Sequence, residues 1–377
     1  MLNRRTLRVK AMQTLFAFHQ SREANYGLGL EYIKDAFSPD LNSMEVQDKD
    51  QLKINKKEAT QLFKTEFSNS GFTGNKGIRI EEVVQQAIEE YHHKNQKDQK
   101  HFAKTMVSEA EKIVDRYILL LLLLMELATL SEKDSKIDHS AFVKNLLIRA
   151  IANNKSVESL SLRRNLNWTS ESDTLRLWFK DLIRTDSTYL EYLRSSESSF
   201  EKDRELVLHL IKNILFKSEV INAYMEENDL SWDEDRAIIK SLVTKTIKSI
   251  PESGEDFELQ ELSYNWEDDK TFFKKLFEET IDVESKHESL IAEKAKNWDI
   301  DRIAVTDKII MEMAIAEMIH FPSIPVKVTI NEYIEIAKRY STPKSKTFIN
   351  GMLDTIANEL EKSGVVKKSG RGLIDNK

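Results

Sequence analysis

The stretch Val305-Thr-Asp-Lys-Ile-Ile-Met-Glu-Met-Ala-Ile-Ala-Glu-Met-Ile-His320 decides the fold. With Ile300, Ile303 and Ala304 before it, the pattern from Asp299 to Met318 is helical and apolar almost all round. A helix with no polar face must be surrounded by other elements. Phe321-Pro322 ends it. Further on, Thr329-Ile-Asn-Glu332 has the form of a capping box opening a second helix, with Ile330, Tyr333, Ile334 and Ala337 turned inward. Pro343 disfavours its continuation, so it stops by Tyr340. Thr342-Pro-Lys-Ser-Lys346 then reads as a short loop. A last helix follows from about Lys346 to Ser363, with Gly364 suited to its C-terminal cap.

Composition points the same way, to an all-α protein. The 377 residues include 10 Gly and 5 Pro, where average usage gives about 26 and 19. So little turn chemistry excludes most all-β folds and Gly-looped nucleotide folds. With 40% apolar residues the chain has enough apolar surface for a core. Its length suggests about two to three domains, or one domain with a long insertion. The absence of cysteine removes disulfides, thiolate zinc sites and cysteine nucleophiles. Adjacent His92 and His93 point about 100° apart on a helix, so no histidine metal site is expected. No phosphate-cradling Gly-rich loop is present, and neither cofactor nor catalysis is expected.

The most apolar run, Ile118 to Met125, holds six consecutive leucines. Eight residues make roughly 12 Å of helix, far short of a bilayer. It reads as a buried helix. Asn3-Arg4-Arg5-Thr6 is no apolar signal segment, and a cytoplasmic location without membrane contact is expected.

Along the chain, residues 3–20 read as a helix with Leu7, Ala11 and Leu15 on one stripe. Residues 21–100 are polar and less regular, with a short helix from Glu81 to Tyr91, and are expected to be looser. Residues 101–265 are strongly helical. A polar residue, a Trp and then an acid three positions after the Trp recur at Asn167-Trp168, Ser231-Trp232, Asn265-Trp266 and Asn297-Trp298. Each resembles a helix start, as a reused capping device or as a helical repeat.

The net charge of −7 is uneven. Residues 1–10 carry +4 and residues 338–377 carry +5, so the rest totals −16. A small basic pole on an acidic body suits one anionic partner. On a helix, Arg4, Arg5 and Arg8 fall within about a 100° arc. That arc overlaps the direction of Met12 and Leu15, so the first turns either project past the body or await a partner to order them. The loop before the last helix combines Lys344 and Lys346 with helix N-terminal amides, a phosphate-binding arrangement. Phe348, one turn in, is either a base-stacking ring or a core aromatic. Asp307, Glu312 and Glu317 need partners or exposure on so apolar a helix. Glu335 is spaced for a pair with Arg339.

Asn297-Trp-Asp-Ile-Asp-Arg302, Asp307, Met311 to Glu317, Ile324 to Glu332, Glu335-Ile-Ala-Lys338 and Ser345 to Asp354 together resemble the C-terminal half of the NusB family of bacterial transcription antitermination factors. Arg4-Arg5-x-x-Arg8 with Ala11 to Phe16 resembles its Arg-rich first helix, and Phe272 to Leu290 the helix before its C-terminal half. The long spacer resembles the long form found in Bacteroidetes-type bacteria. The resemblance implies an all-helical bundle, here with a long, mainly helical insertion. It implies an organisation into an Arg-rich first helix (1–20), an insertion (21–265) and a C-terminal core (266–364), followed by a basic mobile tail (365–377). It implies binding of the boxA element of ribosomal RNA operon transcripts together with NusE, a small-subunit ribosomal protein, within the RNA polymerase antitermination complex. By position, it implies RNA contacts at Arg4, Arg5, Arg8, Lys344, Lys346 and Phe348, and RNA or NusE contacts at Phe16 and Asp307. Lys344 departs from the family, which often has an acidic or small polar residue there. NusB-like domains also precede RNA methyltransferase domains, but those use a cysteine and a Gly-rich cofactor site. A ribosome-assembly scaffold without boxA selectivity is the alternative function.

Overall fold

A computed structural model of the chain describes residues 1–377 apart from 41, 43, 45, 196–198, 254–255, 295–302 and 375–377. The expected start of the central helix at Asp299 and the Asn297-Trp298 pattern therefore lie outside the described residues. Those described form helices and connecting segments, with no strand among them. They fall into two compact units.

One unit comprises residues 4–107 and 270–377. It holds α1 (Arg4–Ala36), α2 (Lys49–Glu66) and the first half of α3 (Arg79–Ser131). The other unit comprises residues 1–3 and 108–269. It holds the rest of α3, then α4 (Ser140–Val143), α5 (Leu146–Asn153), α6 (Lys155–Arg164), α7 (Ser172–Trp178), α8 (Ser187–Arg194), α9 (Phe200–His209), α10 (Glu219–Asn228) and α11 (Trp232–Ser249). The chain returns to the first unit through α12 (Trp266–Lys294), α13 (Val305–His320), α14 (Val326–Tyr340) and α15 (Ser345–Lys362).

α13 is the surrounded helix that its composition requires: every residue from Ile309 to Met318 is buried, and α1, α14 and α15 pack on it. α14 turns Ile330, Tyr333, Ile334 and Ala337 inward, but it starts one turn earlier than the capping-box reading places it. Pro325, with an extended ψ of 144°, launches the helix at Val326. Thr329 lies inside the helix and is fully buried, and its hydroxyl donates to Glu317 rather than serving as a cap. α15 closes as the glycine suggests. Gly364 has φ +71°, its N–H reaches Glu361 O (3.1 Å), and the Val365 N–H reaches Leu360 O (3.0 Å). This double closure needs a left-handed residue that glycine supplies at least cost.

Three local expectations are corrected. α1 does not end near residue 20 but runs to Ala36, because its second half has its own partners. Asn25 Nδ2 donates to Asn95 Oδ1 (2.9 Å) and Asp98 Oδ2 (2.8 Å), and Ser21 Oγ to Asp98 Oδ2 (2.6 Å). Ile33, Phe37, Ala59, Phe63, Val84, Ala87 and Ile88 form a core between α1, α2 and α3. A Cβ on Gly29 would stand 2.5 Å from the Phe63 ring, so glycine permits this close approach. Second, the short helix from Glu81 to Tyr91 is the opening of the 53-residue α3. Third, the basic segment after α15 is docked: Val366 is buried, Lys368 Nζ donates to Phe321 O (3.1 Å), and the Ser369 N–H donates to Pro322 O (3.0 Å).

In the other unit the leucine run is interior, with Leu120, Leu121, Leu123 and Leu124 buried. Trp168, Trp232 and Trp266 sit at helix starts and each donates its indole N–H: Trp168 to Leu119 O (2.8 Å), Trp232 to Asn222 Oδ1 (3.1 Å) and Trp266 to Glu111 Oε1 (3.0 Å). Asn265 Oδ1 accepts from the Asp268 N–H as a cap (3.3 Å). Before α11 Ser231 makes no such cap, and Asp229 Oδ1 accepts from the Ser231 N–H (3.0 Å). Among the described residues no helix is long and apolar enough to cross a membrane.

Candidate nucleic-acid interface

The site is built on Glu317, a fully buried carboxylate in the last turn of α13. Arg8 of α1 grips it with both arms of its guanidinium, Nε to Oε2 (2.7 Å) and Nη2 to Oε1 (2.8 Å). Thr329 Oγ1 donates to Oε1 (2.9 Å) and Tyr333 OH to Oε2 (3.2 Å). Glu317 thus accepts four hydrogen bonds, which lets a charge survive where it has no water. Burial works against the charge on Arg8, but the bonds and proximity to Glu317 outweigh it and raise its pKa. Burial first, then Glu317, pushes the Tyr333 phenol well above its ordinary range.

Arg8 therefore lies inside the bundle, 3% exposed, and neither alternative drawn from its helical direction holds. The side chain follows Leu15 into the core because a carboxylate waits there. What the sequence does not disclose is the pairing of residues 309 positions apart. The signal was present in two halves: an arginine aligned with a core leucine, and a glutamate on an apolar helix.

One turn before Arg8, Arg5 is exposed and makes a two-pronged contact with Glu332 of α14, at 2.8 Å from Nε and 2.7 Å from Nη2. The Arg5 bonds, chiefly, hold the Glu332 carboxyl below its usual range. One turn along α14, Glu335 bonds Lys338 rather than Arg339. Arg339 instead lies 5.2 Å over the Tyr340 ring. The Glu335 carboxyl is also lowered, first by Lys338 and in lesser degree by the charges of Arg5 and Lys346. α15, which carries Lys346 in its first turn, packs on α14, the helix to which Arg5 is bonded.

The other basic loop residue, Lys344, is exposed like Lys346, and Phe348 is half-buried. Asp307, buried at the first turn of α13, accepts a hydrogen bond from Ser341 Oγ. Thr342 Oγ1 meets Ser345 Oγ (2.8 Å) and accepts from the Ser345 N–H (3.3 Å). Asp307 thus faces the loop from inside and positions it. Arg4 is exposed, with its guanidinium 4.9 Å over the Phe272 ring. Phe16, on the same stripe of α1 as Arg5, is 40% exposed.

Fold and site define an all-helical bundle with a basic rim at the meeting of its first helix, α14 and its last helix. Residues 252–358 match the model of the NusB family. The transcription antitermination protein NusB of Chloroherpeton thalassium is 49% identical over 106 residues, 28% of this chain and 50% of that protein. Its namesake in Salinibacter ruber is 46% identical over 105 residues, 28% of this chain and 66% of that protein. That of Natranaerobius thermophilus is 38% identical over 104 residues, 28% of this chain and 73% of that protein. The match thus spans about half of the first of these relatives and under two-thirds of the second. No solved structure matches the chain. The chain belongs to the NusB family.

Proposed function

We propose that the protein is a non-enzymatic RNA-binding factor of transcription antitermination. It binds the boxA element of ribosomal RNA operon transcripts together with NusE, and so keeps RNA polymerase elongating. The observation that carries this reading is the two-pronged bond of Arg5 to Glu332 on α14, the helix on which α15 packs with Lys346 in its first turn, so that two basic segments far apart in sequence border one helix. On this reading Arg4, Arg5, Lys344 and Lys346 meet phosphates, and Phe348 offers a ring edge for stacking. Arg8 and Asp307 act behind that face, the one orienting α1 and the other the loop. Phe16 serves a protein partner. Of the expected insertion 21–265, residues 252–265 fall within the family match, and the rest is read as an addition to the family core.

Charge distribution supports a need for NusE. The unit with the rim carries 35 Lys/Arg and 31 Asp/Glu, whereas residues 108–269 carry 21 and 32. RNA approaching a weakly basic surface of an acidic protein gains from a basic partner. NusE is expected to tighten boxA binding at least about tenfold, roughly 1.4 kcal/mol. Fluorescence anisotropy on boxA and scrambled RNA, with and without NusE, tests this. Equal affinities for boxA and scrambled RNA in both conditions would favour a ribosome-assembly scaffold without boxA selectivity.

A further inference from the structure

The unit formed by residues 108–269 has a concave surface that the RNA reading does not use. α7, the π-helical turn that prolongs it (Phe179–Ile183) and α10 enclose an open groove of about 300 Å³. Leu177 and Val220 line it and are 57% and 61% exposed. Its floor is rigid: Trp178 is buried and meets Tyr224 edge to face at 5.2 Å, and Trp168 braces Trp178 at 6.1 Å. Aromatic side chains have few torsions to freeze, so such a floor is ready for an apolar anchor. Asp181 stands in the groove lining.

The charges decide the occupant. The segments that build the groove, 169–183 and 217–228, carry six acids and three bases, and one of the bases, Arg176, is paired with Asp173 at 3.0 Å. The unit as a whole is −11. We propose that this groove is a docking site for a basic amphipathic helix of a protein partner, with apolar anchors against Leu177, Val220 and the Trp178–Tyr224 floor and lysine or arginine facing the acidic rim. Helix-in-groove recognition needs this pairing of a preformed apolar slot with a charged border. An acidic or nucleic-acid occupant would meet repulsion here.

The test uses the full-length chain and a fluorescent helical peptide of about four turns, with leucine at i, i+4 and i+7 and lysine on its other face. The expected result is saturable binding, weakened at least about tenfold in the Leu177→Asp/Val220→Asp variant. A peptide with glutamate for lysine, or serine for leucine, should bind as weakly. The same variant should bind boxA RNA as wild type does, which separates this site from the RNA reading. Its folding is checked by the thermal unfolding midpoint. If it does not fold, Asp181→Lys on the exposed rim replaces it and should weaken the lysine peptide alone. Undiminished binding by the variants, equal binding of the glutamate peptide, or no binding would overturn the proposal. So would self-association of the wild type that the variant abolishes, since the occupant would then be a second copy of this chain.

Discussion

Arg5 and Arg8 lie one turn apart on α1, and each holds a glutamate with two arms, yet the two regions they define differ in kind. Around Arg8 the pair is sealed: arginine and glutamate side chains are 4% and 0% exposed. Around Arg5 it is open: the side chains are 54% and 19% exposed. Water is an alternative partner for Arg5 but not for Arg8. The inner pair is therefore obligatory and fixes how α1 meets α13. The outer pair is exchangeable, and a phosphate can compete for the same guanidinium. The lesson is that burial, not the chemistry of the pair, separates a structural arginine from one available to a ligand.

The largest effect should come from cutting the inner pair. Glu317→Ala leaves Arg8 buried with only the more distant Glu332 (3.7 Å), together with two stranded hydroxyls. A loss of about 3–5 kcal/mol is expected by urea unfolding. Arg8→Met combined with Glu317→Leu removes both charges and should recover most of that loss. If Glu317→Ala costs no more than a surface substitution, the sealed region is not what it is taken to be.

That pair also marks the limit of what the sequence discloses. The burial of α13, the inward stripe of α14 and the bounds of α15 were legible, because each rests on local periodicity or on Pro343 and Gly364. The fate of Arg8 was not, because its partner is remote and the arc it shares with Arg4 and Arg5 suggests a surface. The length of α1 was hidden for a related reason: Asn25 and Gly29, buried in its second half, are residues that a hydrophobic pattern does not count. Of the candidate face, the bond of Arg5 to α14 and the packing of α15 on α14 join segments far apart in the chain, which no spacing encodes.

The next effect concerns the open region. Phe348→Ala should weaken boxA binding by about 1–3 kcal/mol through lost stacking, with the salt dependence unchanged. Because Phe348 is half-buried, its unfolding midpoint is measured alongside. A folded variant with normal affinity would remove the ring from the RNA face. Arg4→Ala should weaken all RNAs alike and lower the slope of log K against log salt by up to about 0.7.

The smallest effect sharpens the contrast most finely. Glu332→Gln should cost less than about 1 kcal/mol of stability, since Arg5 faces water and the amide keeps a hydrogen-bond acceptor for it. It should strengthen RNA binding, because it removes a competing carboxylate. The pH dependence follows from the lowered Glu332 carboxyl. A depressed carboxylate contributes stability that is present above its unfolded pKa and is lost as pH falls through the folded value. The Arg5–Glu332 contribution should therefore be intact at neutral pH and fade only below about pH 4.5. In Glu332→Gln that part of the acid destabilisation should be missing.

The most direct test of the open face is charge reversal on both of its sides. BoxA RNA affinity is measured over a range of salt for wild type, Arg5→Glu and Lys346→Glu, with unfolding midpoints for all three. If α1 and α15 present one surface to RNA, each variant stays folded, binds at least about tenfold more weakly at low salt and shows a shallower salt slope. If both bind boxA as wild type does, with the same slope, the RNA face is not formed by Arg5 of α1 and Lys346 of α15.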